Sequence, residues 1–135
     1  MRMVPRMQKT ANKILIVDAN DKSRESLRVF IKGLGHEVSE ATTGPEAVNR
    51  ASSILPHLIM MDLCLPGING DEATARLKGN RLTQNIPIVI NTGWTTACNV
   101  EERAHRALNA GAAEILYKPF HFQMLRDVLR TYLLA

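Results

Sequence analysis

The sequence contains few aromatic residues, few cysteines and no long apolar run, and these shortages exclude several classes of protein. Phe, Trp and Tyr make up 4% of the 135 residues, and the cysteines are two, Cys64 and Cys98. No apolar run is long enough to span a bilayer, and the start MRMVPRMQKTAN lacks the apolar stretch of a signal peptide. We therefore expect a cytoplasmic protein without membrane contact, with two thiols rather than a disulfide framework.

The positive charge of the chain is concentrated near its start. The net charge is +4, and three of the 17 basic residues, Arg2, Arg6 and Lys9, lie in residues 1–11, which contain no acidic residue. A nearly neutral body with a short basic tail is weak support for nucleic-acid binding. We therefore predict a basic tail over 1–11, one domain over 12–135, and no direct binding to nucleic acid.

Apolar runs and helical stripes alternate along the chain. Continuous apolar runs are typical of strands buried on both faces, and they occupy 13–18, 57–62, 86–92 and 113–118, with a weaker alternating strand at 36–41. Apolar residues with helical spacing predict helices over 22–34, 44–54, 70–79, 96–110 and 121–133. Five strand–helix units predict an α/β fold with a parallel sheet, right-handed crossovers and helices on both faces.

Polar side chains end four of the predicted strands. The first strand ends in Asp18, the third in Asp62, the fourth in Thr92 and the fifth in Lys118. Ligands of open parallel sheets bind beyond the carboxyl ends of the strands. We therefore expect two carboxylates, a hydroxyl and an ammonium group to converge on one edge of the sheet.

This set of side chains suits the transfer of a phosphoryl group to a carboxylate. An aspartate can accept a phosphoryl group as an acyl phosphate, and Mg²⁺ prefers carboxylate and carbonyl oxygens together with water. Asp62 is the candidate nucleophile and a metal ligand, and Asp18 helps to hold the ion. Lys118 and Thr92 are the candidates for binding the phosphoryl oxygens.

Four blocks of sequence carry a resemblance to a known family. They are ILIVDAND, MMDLCLPGINGDEA, IPIVINTG and GAAEILYKPF, in that order. The chain resembles the receiver domains of two-component response regulators, of the chemotaxis-regulator type, over about residues 12–134. The resemblance implies a flavodoxin-like, doubly wound (βα)5 fold with a parallel sheet in the order 2-1-3-4-5.

The resemblance also implies roles for the residues at the strand ends. Asp62 would accept phosphate from a sensor histidine kinase or a phosphotransfer protein, and Thr92 would be the switch hydroxyl. Lys118 would be the family's lysine, followed by a cis peptide bond. The backbone carbonyl of Cys64 would join Asp18 and Asp62 as a Mg²⁺ ligand. Such a domain is a switch that acts on a downstream protein, which the sequence does not identify, rather than an enzyme.

The chain departs from the family at two positions of the site. Ala19 stands where a second acid usually touches the metal, so we expect weakened Mg²⁺ binding. An acid at Asp21 more often begins a helix than replaces a ligand. Ile115 stands where an aromatic ring usually moves during switching, and Tyr117 lies on the same side of the strand. These departures leave open a degenerate pseudo-receiver that binds proteins independently of phosphorylation.

Two more residues near the predicted site are notable. Trp94, two residues after Thr92, is either a contact for a partner or a lid packed on its own loop. Nothing near Cys64 other than Lys118 favours a reactive thiol, so we do not expect Cys64 to sense oxidation.

Overall fold

The computed structural model describes residues 11–133, which form alternating strands and helices. They are β1 (Lys13–Val17), α1 (Asp21–Gly33), β2 (Glu37–Ala41), α2 (Gly44–Ile54), β3 (Leu58–Met61), α3 (Gly70–Lys78), β4 (Ile88–Thr92), α4 (Val100–Ala110), β5 (Glu114–Tyr117) and α5 (Phe122–Leu133). The predicted basic tail lies outside the described residues, apart from residue 11. Over the described range, no helix has both the length and the apolar character needed to cross a membrane.

The strands form one parallel sheet in the order β2-β1-β3-β4-β5. Val17, the last residue of β1, pairs with Ala41 on one side and with Met61 on the other. This register brings the carboxyl ends of β1 and β3 side by side, so that Asp18 and Asp62 follow neighbouring strands. The predicted flavodoxin-like, doubly wound α/β fold is confirmed.

Each face of the sheet is covered by helices, which explains why the apolar runs are continuous. Ile14 and Ile16 of β1 pack in the core under α1 and α5, whereas Leu15 and Val17 pack in the core under α2, α3 and α4. All four side chains are fully buried. Successive residues of a strand point to opposite faces, so a strand covered on both faces needs apolar residues at every position.

The fourth helix begins later than the sequence pattern predicts. We expected a helix from residue 96, but α4 begins at Val100, and residues 96–99 form a turn. The side chain of Asn99 accepts a hydrogen bond from the backbone N–H of Glu102 at 3.4 Å, as an N-cap does. The cap sets the start of the helix and leaves residues 93–99 as a connection beyond β4.

Gly70 allows α3 to approach the end of β3 closely. Its backbone N–H donates to the carbonyl oxygen of Leu63 at 2.7 Å. A Cβ atom at this position would overlap the carbonyl oxygen of Asp62 and come within 3.0 Å of the Cα atom of Leu63. Gly70 therefore helps to fix the backbone of Asp62.

We predict that Gly70→Ala lowers the free energy of unfolding by about 1–3 kcal/mol, because the added methyl group must displace backbone atoms. Gly33→Ala is the matched control, since a Cβ atom at Gly33 would meet nothing within 4 Å. The control should be neutral or stabilising by about 0.4–1 kcal/mol. Urea unfolding measures both variants, and equal stability of the two would contradict the role given to Gly70.

Candidate functional site

The ammonium group of Lys118 joins residues from three elements of the fold. Its Nζ donates to Oδ2 of Asp18 at 2.9 Å, to Oγ of Ser23 at 3.0 Å and to Oδ2 of Asp62 at 3.4 Å. The side chain of Asp18 is 1% exposed and that of Asp62 is 16% exposed. The structure thus brings together three of the residues predicted from the strand ends. Ser23, in the first turn of α1, was not predicted.

A second ion-pair network holds the backbone of Asp18. Arg24 donates from Nη1 to the carbonyl oxygen of Asp18 at 2.8 Å and from Nε to Glu40 at 2.8 Å. Burial would raise the pKa of Glu40, but hydrogen bonds from Arg28 and Arg24 outweigh it, and the pKa is lowered. Glu40 therefore stays charged at neutral pH and holds Arg24 against the end of β1. Sequence reasoning missed this network.

The loop after β3 orients the side chain of Asp62. Its Oδ1 atom accepts a hydrogen bond from the backbone N–H of Leu63 at 2.7 Å, which leaves Oδ2 facing Lys118. Farther along the loop, the side chain of Asn69 accepts from the backbone N–H of Leu65 at 3.1 Å. One carboxylate oxygen of Asp62 is thus used by the backbone and the other faces the ammonium group.

Thr92 ends β4 and lines the same cavity as Asp62. The cavity measures about 470 Å³, and its lining includes Asp18, Ala19, Asp62, Cys64, Thr92 and Lys118. The hydroxyl of Thr92 donates to the carbonyl oxygen of Gly93 at 3.4 Å, near the upper limit for a hydrogen bond. The hydroxyl is therefore weakly held, and it bonds to Gly93 rather than to Asp62.

The oxygen atoms around this cavity fit a hydrated magnesium ion. No group of three or more His, Cys, Asp or Glu side chains within residues 11–133 is arranged to hold a metal. The cavity is instead lined by the two acidic residues Asp18 and Asp62, together with Cys64. Mg²⁺ keeps several waters and is usually bound through one or two carboxylates, so this set is sufficient for it.

Asp21 does not supply the carboxylate that is missing at position 19, because it does not line the cavity. Its carboxylate lies 2.7 Å from Nη2 of Arg24, and its side chain is 89% exposed. It stands in the first turn of α1, where an acid stabilises the helix. Ala19 lines the cavity itself, and its side chain offers no oxygen atom there.

The expectation of two free thiols is wrong. Cys64, in the loop after β3, forms a disulfide with Cys98, in the turn before α4, and the two Cα atoms lie 5.7 Å apart. They are 34 positions apart in the sequence. The pairing depends on the course of two loops, which apolar periodicity does not predict.

Trp94 packs on its own domain. Its ring is stacked on that of Tyr117, with centroids 4.6 Å apart and planes inclined by 4°. Trp94 is nevertheless 67% exposed. The stack joins the connection after β4 to the end of β5, next to Lys118, so Trp94 packs on β5 rather than on its own loop, and its role as a partner contact stays a prediction.

Comparisons with known proteins agree with this geometry. A family model described as the response regulator receiver domain matches residues 14–130. Protein PilH of Pseudomonas aeruginosa is 30% identical over 121 residues, which cover 90% of this chain and 97% of PilH. The phosphate regulon transcriptional regulatory protein PhoB of the same organism is 36% identical over 107 residues, or 79% of this chain and 45% of PhoB. The chain thus spans less than half of PhoB.

A solved structure adds a relative with a metal. The receiver domain of a sensor histidine kinase from Pseudomonas aeruginosa has a magnesium ion coordinated in its active-site cleft. It superposes on this chain with a TM-score of 0.80 at 25% identity and covers 93% of this chain and 100% of its own.

This chain belongs to the response regulator receiver domain family of two-component signalling. The resemblance found in the sequence is confirmed. Members of the family are in general signalling switches rather than enzymes. The comparisons give no support to the degenerate alternative.

Proposed function

We propose that this chain is a phosphoacceptor switch in a histidine–aspartate relay and that Asp62 accepts the phosphoryl group. The observation that carries the proposal is the position of Lys118 Nζ between the carboxylates of Asp18 and Asp62. An ammonium group placed there would stabilise negative charge on an incoming phosphoryl group. The proposed donor is a sensor histidine kinase or a phosphotransfer protein.

In the transfer, a carboxylate oxygen of Asp62 attacks phosphorus. The bond from phosphorus to the donor's histidine nitrogen breaks as the bond to the aspartyl oxygen forms. The hydrogen bond from the N–H of Leu63 holds Oδ1 at 2.7 Å, so Oδ2 is the freer of the two oxygens and is the proposed nucleophile. The partial exposure of Asp62 lets a donor side chain reach it.

Lys118 and Thr92 are the proposed ligands of the phosphoryl oxygens. Lys118 makes its longest contact with Asp62 and its shorter ones with Asp18 and Ser23, so it can turn to a phosphoryl oxygen without leaving Asp18 unpaired. Thr92 gives up only its 3.4 Å contact with Gly93 when its hydroxyl rotates. The pull on Thr92 would pass to the connection over residues 93–99.

Asp18, Asp62 and the backbone carbonyl of Cys64 are the residues that would hold Mg²⁺. The bound ion would supply positive charge that offsets the charge of the phosphoryl oxygens. Because Ala19 contributes no oxygen, water must fill its place, and we propose that Mg²⁺ binds more weakly here than in a site with two acids at the end of β1.

The proposed readout of phosphorylation is the stack of Trp94 on Tyr117. Ile115 has no ring that can move into the domain, whereas Tyr117 lies on the same side of β5 and already contacts the connection after Thr92. A shift of Thr92 towards Asp62 would disturb this stack and alter the surface around α4. We propose that a downstream protein, still unidentified, recognises that surface. The proposed domain comprises residues 12–135, and the proposed location of the relay is the cytoplasm.

We predict that acetyl phosphate with Mg²⁺ adds the mass of one phosphoryl group to the wild-type protein and none to Asp62→Asn. The amide is close to isosteric but is not a nucleophile for phosphorus. Asp127→Asn is the matched control, because Asp127 lies on α5 and bonds there to Gln123 and Thr131. Intact-protein mass spectrometry measures all three proteins. An unmodified wild type would favour the pseudo-receiver, and a modified Asp62→Asn would move the acceptor elsewhere.

We also predict that Ala19→Asp tightens Mg²⁺ binding by at least about tenfold, the scale on which single ligand-sphere groups act. Ala19→Asn has nearly the same size without the charge and should give a smaller gain. Calorimetric titration of Mg²⁺ into each protein provides the affinities without any phosphorylation. Equal affinities of wild type and Ala19→Asp would show that position 19 is not part of the metal site.

A further inference from the structure

The Cys64–Cys98 disulfide connects the two loops on which the proposed switch depends. Cys64 lies two residues after Asp62, and Cys98 lies in the 93–99 segment that follows Thr92. Phosphoryl transfer as described above uses the backbone of Cys64 but neither sulfur atom. The phosphoacceptor function therefore does not account for the disulfide.

Both cysteines can be reached by small molecules. They line one cavity of about 480 Å³, together with Ala19, Ala97 and Arg103. Each cysteine is only partly buried. An oxidant or a reductant the size of a peroxide or a small dithiol can therefore reach the bond from solvent, which is not the case for a disulfide enclosed in a core.

Contrary to the expectation from the sequence that Cys64 does not sense oxidation, we propose that Cys64 and Cys98 are a reversible redox modification site that restrains the 93–99 segment. The oxidant class is a hydroperoxide. Two thiols and one hydrogen peroxide give the disulfide and two waters: the O–O bond breaks, the S–S bond forms, and both thiol protons leave in water. A dithiol reductant reverses the step by thiol–disulfide exchange and is itself oxidised. In the cytoplasm that we propose for this chain, disulfides are usually transient or redox-sensing.

The restraint opposes the change that phosphorylation requires. The Thr92 hydroxyl is directed to the carbonyl oxygen of Gly93. In the proposed switch it turns towards a phosphoryl oxygen on Asp62 and draws the following segment along. The disulfide ties the far end of that segment to the loop after β3. Oxidation therefore favours the conformation without phosphate, and reduction frees the switch. This last step rests on the proposed phosphoacceptor function, whereas the restraint of the segment does not.

The first part of the test is chemical. The full chain is reduced with dithiothreitol or treated with one equivalent of hydrogen peroxide, then alkylated with iodoacetamide and weighed intact. We expect two alkyl groups on the reduced protein and none on the oxidised protein, which should be lighter than the unalkylated reduced protein by two hydrogens. Dithiothreitol should restore both thiols. A protein that resists peroxide, or a bond that dithiothreitol leaves intact in the folded state, overturns the proposal.

The second part measures the restraint without any phosphate chemistry. Amide hydrogen exchange over residues 93–99 should be at least about tenfold slower in the oxidised protein, because local opening needs the freedom that the bond removes. Cys98→Ser, which lacks the bond but keeps the backbone of Cys64, should exchange like the reduced protein in both buffers. Cys98→Ala repeats the control with an apolar side chain. Equal exchange of oxidised and reduced wild type overturns the restraint.

The third part joins the restraint to the switch. Beryllofluoride, a mimic of the aspartyl phosphate, should bind the reduced wild type at least about fivefold more tightly than the oxidised protein in the presence of Mg²⁺, a coupling typical of linked sites. Cys98→Ser should bind equally in both buffers. Equal binding by oxidised and reduced wild type contradicts the link to switching. Absence of binding in every form contradicts the phosphoacceptor function instead, while mass and hydrogen exchange still decide the redox site.

Discussion

The sharing of one ammonium group by two carboxylates is the interaction on which the candidate site depends. Asp18 is almost completely buried. A buried carboxylate without a partner would lower the free energy of unfolding by about 3–5 kcal/mol. Lys118 supplies the partner from a position 100 residues away in the sequence. The sheet order places β1 and β3 side by side, and the side chain of Lys118, which follows β5, reaches the acidic residues after both strands. The contact between Lys118 and Asp18 therefore depends on the fold, and it also stabilises the fold by pairing a buried charge.

The same interaction would explain how the proposed phosphorylation alters the surface. In the proposed function, a phosphoryl group on Asp62 would give Lys118 and Thr92 a new partner, and Thr92 would lose only its 3.4 Å contact with Gly93 by moving. Two contacts then act on the segment after Thr92: the stack of Trp94 on Tyr117 and the disulfide from Cys98 to Cys64. One links the segment to β5 and the other to the loop that carries Asp62. Under the two proposals made above, the state of the segment would depend on phosphate and on thiol chemistry.

The residues at the strand ends were predictable from sequence because of a general feature of buried parallel strands. Runs of apolar residues are continuous where both faces are covered, so a polar residue marks the exit of the strand. Asp18, Asp62 and Lys118 were placed at one edge by this argument, and the structure brings them within hydrogen-bond distance. The structure places Ala19 at the same cavity, while the effect of its missing carboxylate on Mg²⁺ binding stays a prediction.

The features that sequence reasoning missed depend on loops and on single side-chain orientations. The pairing of Cys64 with Cys98 follows from the course of two connections. The start of α4 was misplaced because an N-cap at Asn99 outweighs the apolar pattern before it. Ser23 and Arg24 lie in the first turn of α1, and only the docking of that helix directs them to Lys118 and Asp18. One sequence signal could have indicated Ser23 and Arg24: each is a polar residue in the first turn of the helix that follows Asp18, the acid at the end of a strand.

The most direct measurement is the fluorescence of Trp94 in the reduced protein during titration with Mg²⁺ and beryllofluoride. Trp94 is the only tryptophan of the chain and lies two residues after Thr92. The account predicts a saturable change that requires both ions and is absent in Asp62→Asn. No change in the wild type, or the same change in Asp62→Asn, would contradict the claim that Asp62 accepts phosphate and moves the segment after Thr92.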